Sequence, residues 1–259
     1  MKKNFLMLLV TMLCTSFLYS QTSVKAFDNK EFLQFKISYG LVNAGIATLT
    51  LSETMQGGVP VYHAKGIGYT TGITKAFFKV YDNYESYFER DNVVPHRFVR
   101  KIDEGGYTKD QEGWFDYKTM KVTVKDYEKK TEKSFNITRN AQDIVSAFYY
   151  LRKYPGLNSL KVGESVEIDM FFDGEISKFK LKYLGTEVLK TKFGKLKTLK
   201  FRPYVMAGRV FKEQESLTVW VSADVNKVPV RIKASLLVGS LKADLDNYKN
   251  LVKQLEFEK

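Results

Sequence analysis

The sequence predicts a mainly β protein: an antiparallel curved sheet or half-barrel closed over one amphipathic helix. Three observations lead there. Apolar and polar residues alternate along most of the chain, and turn residues punctuate that alternation at short intervals. One segment, "DIVSAFYYLRKYPGLN" at 143–158, carries clear helical spacing instead. Alternation with period two describes strands with one wet and one dry face, joined mainly as antiparallel hairpins. About a dozen such strands follow one another at the spacing of an all-β domain.

The elements can be justified in order. "ATLTLSE" sets Ala47, Leu49 and Leu51 against threonine and serine, and "QGG" turns the chain toward "VPVYHAKGIGY". "TTGITKAFFKV" offers a second, short helix with Ile73, Ala76, Phe77 and Val80 on one face, although Thr- and Phe-rich sequence suits a strand equally. "MKVTVK" aligns Met120, Val122 and Val124. "VEIDMFF" aligns Val166, Ile168, Met170 and Phe172, and "DGE" forms a hairpin turn into "KFKLKYL". There Phe179, Leu181 and Tyr183 oppose three lysines. In "LTVWVS", Leu217, Val219 and Val221 share one face, which leaves Trp220 on the nominally polar face with Thr218 and Ser222. "VPVRIKA" sets Val228, Val230, Ile232 and Ala234 against Arg231 and Lys233, and "SLKADLDNY" again shows one apolar face, through Leu241, Ala243 and Leu245.

In the long helix, Ile144, Ala147, Phe148 and Leu151 fall on one face, widened by Val145 and Tyr150. Asp143 suits the N-cap or first turn, Arg152 and Lys153 suit the last turn, and "YPG" stops the helix. Each large side chain buried on that face contributes about 1.5–3 kcal/mol before entropy is subtracted. Such a helix either closes the core of a curved sheet or forms a lid over an apolar pocket.

Residues 1–20, "MKKNFLMLLVTMLCTSFLYS", have the layout of a secretory signal: Lys2 and Lys3, an apolar run from Phe5 to Leu13, and a small residue, Ser20, before Gln21. That run is shorter than the roughly 20 apolar residues of a membrane span. Cys14, the only cysteine, lies inside it with Leu13 before it, so lipidation is not expected and a chain starting near Gln21 carries no thiol. The remaining residues, 21–259, show no Pro-, Ser- or Gly-rich linker and no fixed-period repeat, so one exported domain is expected. The net charge is +12, or +10 without Lys2 and Lys3. A basic surface favours anionic neighbours. For an exported protein these are envelope components, and peripheral contact with an anionic membrane is expected; the lysines also serve as solvated strand faces that deter edge-to-edge pairing.

The chemistry available is sparse. His63 and His96 are the whole imidazole inventory, and no metal site is expected from them. No G-x-S-x-G elbow occurs, and "GIGY" at 66–69 matches no nucleotide fingerprint. Asp103, Glu104, Asp169 and Asp173 supply carboxylates, but nothing in their spacing requires the paired geometry of a glycosidase. Asp173–Gly174 and Glu104–Gly105 read better as turns. Aromatic residues are plentiful without the localised stacking and basic arrangement of a single-strand binder, so no nucleic acid is expected.

Three parts of the chain together resemble the exported bacterial family known as domain of unknown function 3108. They are "YGLVNAGIATLTL"; "VYDNYESYFERDNVVPHRFVRKIDEGGY"; and "DIVSAFYYLR" with "LKVGESVEIDMFFDGE" and, far downstream, "LTVWVSADVNKVPVRIKASLLVGSLKADL". The likeness covers nearly all of residues 35 to 246. It implies a periplasmic or envelope β protein without established catalytic residues, similar in architecture to half-barrel lipoprotein carriers and lipid-sensing regulators. The resulting expectation is a non-enzymatic, cofactor-free protein binding a hydrophobic or amphiphilic envelope molecule, such as a lipid or lipidated protein. Its candidate site residues are Phe77, Phe78, Ile144, Phe148, Leu151 and Trp220. The alternatives are an interaction protein contacting anionic envelope polymers and, third, an enzyme acting on glycans.

Overall fold

The computed structural model describes residues 25–204 and 217–258; the signal-like segment and Cys14 lie outside them. The alternating stretches form strands in chain order: β1 (Phe32–Tyr39), β2 (Val42–Gln56), β3 (Val59–Thr70), β4 (Tyr81–Glu89), β5 (Pro95–Glu104), β6 (Tyr107–Asp116), β7 (Lys121–Asp126) and β8 (Thr131–Asn136). After the long helix come β9 (Ser165–Phe172), β10 (Glu175–Thr191), β11 (Gly194–Tyr204), β12 (Leu217–Ser222), β13 (Pro229–Ser235), β14 (Ser240–Lys249) and β15 (Phe257–Glu258). The helices are α1 (Gly72–Phe77), between β3 and β4, and α2 (Ile144–Arg152).

All the described strands belong to one antiparallel sheet, ordered β8-β7-β6-β5-β4-β3-β2-β1-β14-β13-β12-β11-β10-β9, with β15 added beside β11. Two meanders of sequence neighbours are therefore sewn together by β1 and β14, from Phe32↔Lys249 to Tyr39↔Leu241. This order explains the lone helix. The connection from β8 to β9 has to travel from one free edge of the sheet to the other, and the shortest route lies across the concave face. A greasy helix is the segment that makes that crossing without leaving backbone polar groups unpaired.

The edges approach each other without pairing as strands. Gln142 bridges Met170, with its amide donating to Asp169 O at 2.8 Å and its carbonyl accepting from Phe171 N at 2.8 Å. The β9–β10 hairpin reaches across to the first meander through a two-residue turn, Asp173 (φ 49°) and Gly174 (φ 91°). Only glycine fits the second position, because a Cβ there would stand 2.9 Å from the Phe135 ring as well as adopting a positive φ.

Four apolar clusters fill the interior, and α2 joins three of them. Val145 and Tyr149 pack with Phe27, Leu51, Tyr62 and Phe88; Phe148 touches that cluster and a second around Leu33, Phe35, Trp220 and Val230; Ala147 and Leu151 join a third around Ile168, Leu181 and Phe201. The fourth cluster, around Phe115, Val122 and Phe171, lies under the hairpin tip.

Two expectations need correction. The helix does not bury one stripe: Ile144 is exposed, while Val145, Ser146, Ala147, Tyr149 and Arg152 are buried. The N-terminal segment Ala26–Phe27 covers the side that periodicity assigns to solvent. In β9 it is Phe171, not Phe172, that is buried, because the hairpin tip leaves the third cluster and packs its opposite face onto the first meander.

Candidate functional site

Two buried charged residues fix α2 at its ends. Asp143 caps the N-terminus: its Oδ1 accepts from the amides of Val145 (2.8 Å) and Ser146 (2.9 Å), and its Oδ2 accepts from Ser86 Oγ (2.6 Å). Ser146 Oγ accepts from the Asp143 amide, completing a capping box with serine in the place usually taken by Glu or Gln. Burial pushes the Asp143 carboxyl up from 3.8 to about 6 despite those donors. The folded pKa is raised, so its contribution to stability is complete below the ordinary carboxylate range and is lost as pH rises through the folded value. The urea midpoint of the wild type is therefore expected to fall between pH 4 and 6 relative to Asp143→Asn, which keeps an acceptor for the two amides but does not titrate. Parallel pH profiles for the two proteins would show that Asp143 is not the titrating group.

At the other end, Arg152 is 3% exposed and Glu31 0% exposed at the side chain. The guanidinium donates to both Glu31 oxygens at 2.6 and 2.7 Å, to Ala26 O at 2.9 Å and, through Nε, to Asn226 O at 2.9 Å. The rings of Phe27, Phe148 and Tyr149 surround it with centroids 5.3, 5.4 and 5.5 Å away. One residue thus ties the helix to the chain's first described segment and to the turn between β12 and β13.

Beside the N-terminus of α2 a cleft of about 440 Å³ opens between β4–β8 and the β9–β10 tip. Its floor is apolar: Phe98, Val99, Val124, Phe135, Ile144 and Phe171 line it. The Phe98 ring occupies the space beside its strand partner Gly113, where a Cβ would stand 2.0 Å from the ring. Arg100, Lys109, Lys129 and Lys133 bring positive charge to the lining, and Glu85, Asp126, Glu128, Asp143 and Asp173 bring negative charge. Asp173 accepts from Arg100 (2.5 Å) and Lys109 (2.7 Å), which fastens the hairpin tip over the cleft. Burial alone would raise the Asp173 carboxyl, but the Lys109 hydrogen bond and the Arg100 charge bring it below its ordinary value. Arg100 also stacks on Phe172, its carbon 4.3 Å from the ring centroid.

Of the residues singled out from sequence, Ile144 lines this cleft. Phe148 and Leu151 pack into the core clusters beside α2. Phe77 and Phe78 are exposed around α1, at a different place from the cleft lining. Trp220 is buried: its Nε1 donates to Glu187 at 3.0 Å, and its ring packs with the cluster around Leu33 and Phe35. The nominally polar face of β12 is thus the inward one, since Ser222 is buried with it. The six do not form one site. The cleft's basic residues and Phe98, Phe135 and Phe171 escape sequence reading because they converge only through the hairpin crossing; the Gly113–Phe98 pairing was the available local signal.

Several other titratable groups pair locally. His63 Nε2 contacts Glu85 at 2.8 Å, His96 contacts Glu89 at 3.5 Å, and Lys79 binds Asp103 at 2.9 Å. Asp169 pairs with Lys178. Burial and then Glu104 push Asp82 up to about 6. Among the described residues no three His, Cys, Asp or Glu side chains gather as a metal site, and no helix is long and apolar enough to cross a membrane.

The architecture recurs in a solved structure, a β-barrel-like protein of domain of unknown function DUF1849 from Brucella abortus, with a TM-score of 0.58 and 8% identity over 87% of this chain and 99% of that one. A DUF1089 family protein from Pseudomonas aeruginosa aligns with 92% of this chain and 99% of its own length, at 10% identity and a TM-score of 0.31. No curated protein matches the chain. The family described as "Protein of unknown function (DUF3108)" matches residues 34–246, the stretch that holds the sheet from β1 to β14, α2 and the cleft, and the chain belongs to it.

Proposed function

We propose that this chain is an exported, non-enzymatic envelope protein whose cleft holds an amphiphile with an anionic head. The observation that carries this reading is the cleft itself: an aromatic and aliphatic lining in which Lys129 and Lys133 stand among both acidic and basic residues. Its volume of about 440 Å³ lies in the usual range of small-molecule sites. An acyl chain would lie on Phe98, Phe135, Ile144 and Phe171, and a carboxylate or phosphate would meet Lys129 and Lys133, Arg100 and Lys109 being held by Asp173. The signal-like first twenty residues support export, and the basic balance of the chain supports an anionic partner.

The test is displacement of an anionic apolar fluorophore by a long-chain fatty acid and by a lysophospholipid. Wild type is expected to bind the fluorophore and release it to both competitors. Ile144→Asp and Lys133→Glu, both at exposed positions, are each expected to weaken binding by about tenfold, equivalent to about 1.4 kcal/mol. A wild type that binds no fluorophore, or variants that bind as the wild type does, would remove the reading.

A further inference from the structure

The antiparallel register brings several turns to one end of the sheet. Tyr39 pairs with Leu241 and Ser235 with Ser240, so the β1–β2 and β13–β14 turns are neighbours. Gly45 pairs with Thr70, Tyr69 with Tyr81, and Glu104 with Tyr107, which sets α1 and the β5–β6 turn in the same row. This row carries apolar residues at its tips. Leu41 and Leu237 are fully exposed, Phe77 is 84% exposed, and Ile73, Phe78 and Val238 are exposed beside them.

The helix α1 is the sharpest case, because none of its residues is buried although Ile73, Ala76 and Phe77 are apolar. Neighbouring exposed apolar tips from three separate turns are more than the scattered surface leucines of an ordinary monomer. The segments that bear them, 39–43, 71–79 and 235–242, contain Lys75, Lys79 and Lys242 and no Asp or Glu. Lys79 pairs with Asp103 on β5, Lys242 pairs with Asp244 on its own strand β14, and Lys75 stands in the last turn of α1.

From this we infer that the rim formed by these tips inserts into an anionic phospholipid surface. Separate protruding side chains flanked by lysines match an interfacial membrane contact, in which apolar tips enter the headgroup boundary and basic residues meet anionic lipid. A flat self-complementary patch, as a second copy would need, is not what three separate turns present. The rim is also continuous with the cleft. Phe78 lies against Gly105, Lys79 O accepts from the Gly105 amide at 2.9 Å, and Tyr107, Thr108 and Lys109 just beyond that turn line the cleft. If the cleft holds an amphiphile, as proposed above, docking of the rim brings its mouth to the bilayer from which that amphiphile would be taken.

The experiment is co-sedimentation of the protein with phosphatidylcholine vesicles, with and without phosphatidylglycerol, at low and high salt. Wild type is expected to bind the anionic vesicles and to be released by salt. The triple variant Leu41→Ser, Phe77→Ser, Leu237→Ser is expected to lose affinity by about tenfold or more, since three apolar insertions disappear. All three positions are exposed, so an unchanged melting temperature certifies its fold. Ile144→Asp is expected to bind vesicles as the wild type does. That separates the two readings: vesicle binding without fluorophore binding would remove the cleft proposal and leave the rim. The rim proposal is overturned if wild type ignores anionic vesicles at low salt or if the triple variant binds equally. It is also overturned if, without vesicles, wild type dimerises and the triple variant does not.

Discussion

Replacing Arg152 with alanine is expected to cost about 3–5 kcal/mol of folding stability, the usual penalty for leaving one member of a buried ion pair without its partner. Glu31 would remain with its side chain 0% exposed and no counter-charge, and Ala26 O and Asn226 O would lose their donors. Arg152→Lys is expected to recover only part of the loss. Arg152 donates through Nε and both terminal nitrogens in a planar fork, and a lysine has one compact head to serve four acceptors. The reciprocal change, Glu31→Ala, should cost a similar amount, and the double replacement less than the sum of the two, because the second loss removes the charge the first left stranded. Urea denaturation of the four proteins measures this. Single variants within about 1 kcal/mol of wild type would show that the pair contributes no more than an exposed one.

Tyr149→Ala is expected to cost about 3–5 kcal/mol, in the range for emptying an aromatic site in a core. The ring is 0% exposed and touches Phe27, Phe88 and Phe148 at centroid distances of 4.8, 5.2 and 5.0 Å. Its hydroxyl has no hydrogen-bond partner among the described residues. Tyr149→Phe should therefore leave stability within about 1 kcal/mol of wild type or raise it, since a buried polar atom without a partner contributes a desolvation cost rather than a bond. Thermal or urea unfolding of both variants distinguishes the two contributions. A large loss in Tyr149→Phe would mean that the hydroxyl, not the ring, anchors the helix.

Local pattern carried much of the architecture. Alternation placed the apolar face of β13 and the hairpin at Asp173–Gly174, and helical spacing with an Asp ahead of it located α2 and its cap. These features depend on neighbours a few residues apart, whose sterics and hydrogen bonds a sequence displays directly. The same spacing misjudged which side of α2 is inward, and on β12 it left open what Trp220 on the nominally polar face packs against. Burial of Tyr149 and Trp220 depends on what covers them, and the covers are Ala26–Phe27, Leu33 and Phe35, more than a hundred residues away in the chain.

Arg152 shows the limit most clearly. Near a helix C-terminus a cation reads as a dipole partner facing water. In the fold it is enclosed and bonded to Glu31, 121 residues earlier. The sequence by itself determined a mainly β chain of short hairpins with one central helix. The tertiary structure decided the rest: that β1 and β14 form the seam, that the helix spans the gap between the free edges, and that the hairpin tip and strands β4–β8 enclose a cleft. Period and propensity act over a few residues, whereas the sides of an element that lose water are chosen by segments brought to it from far along the chain.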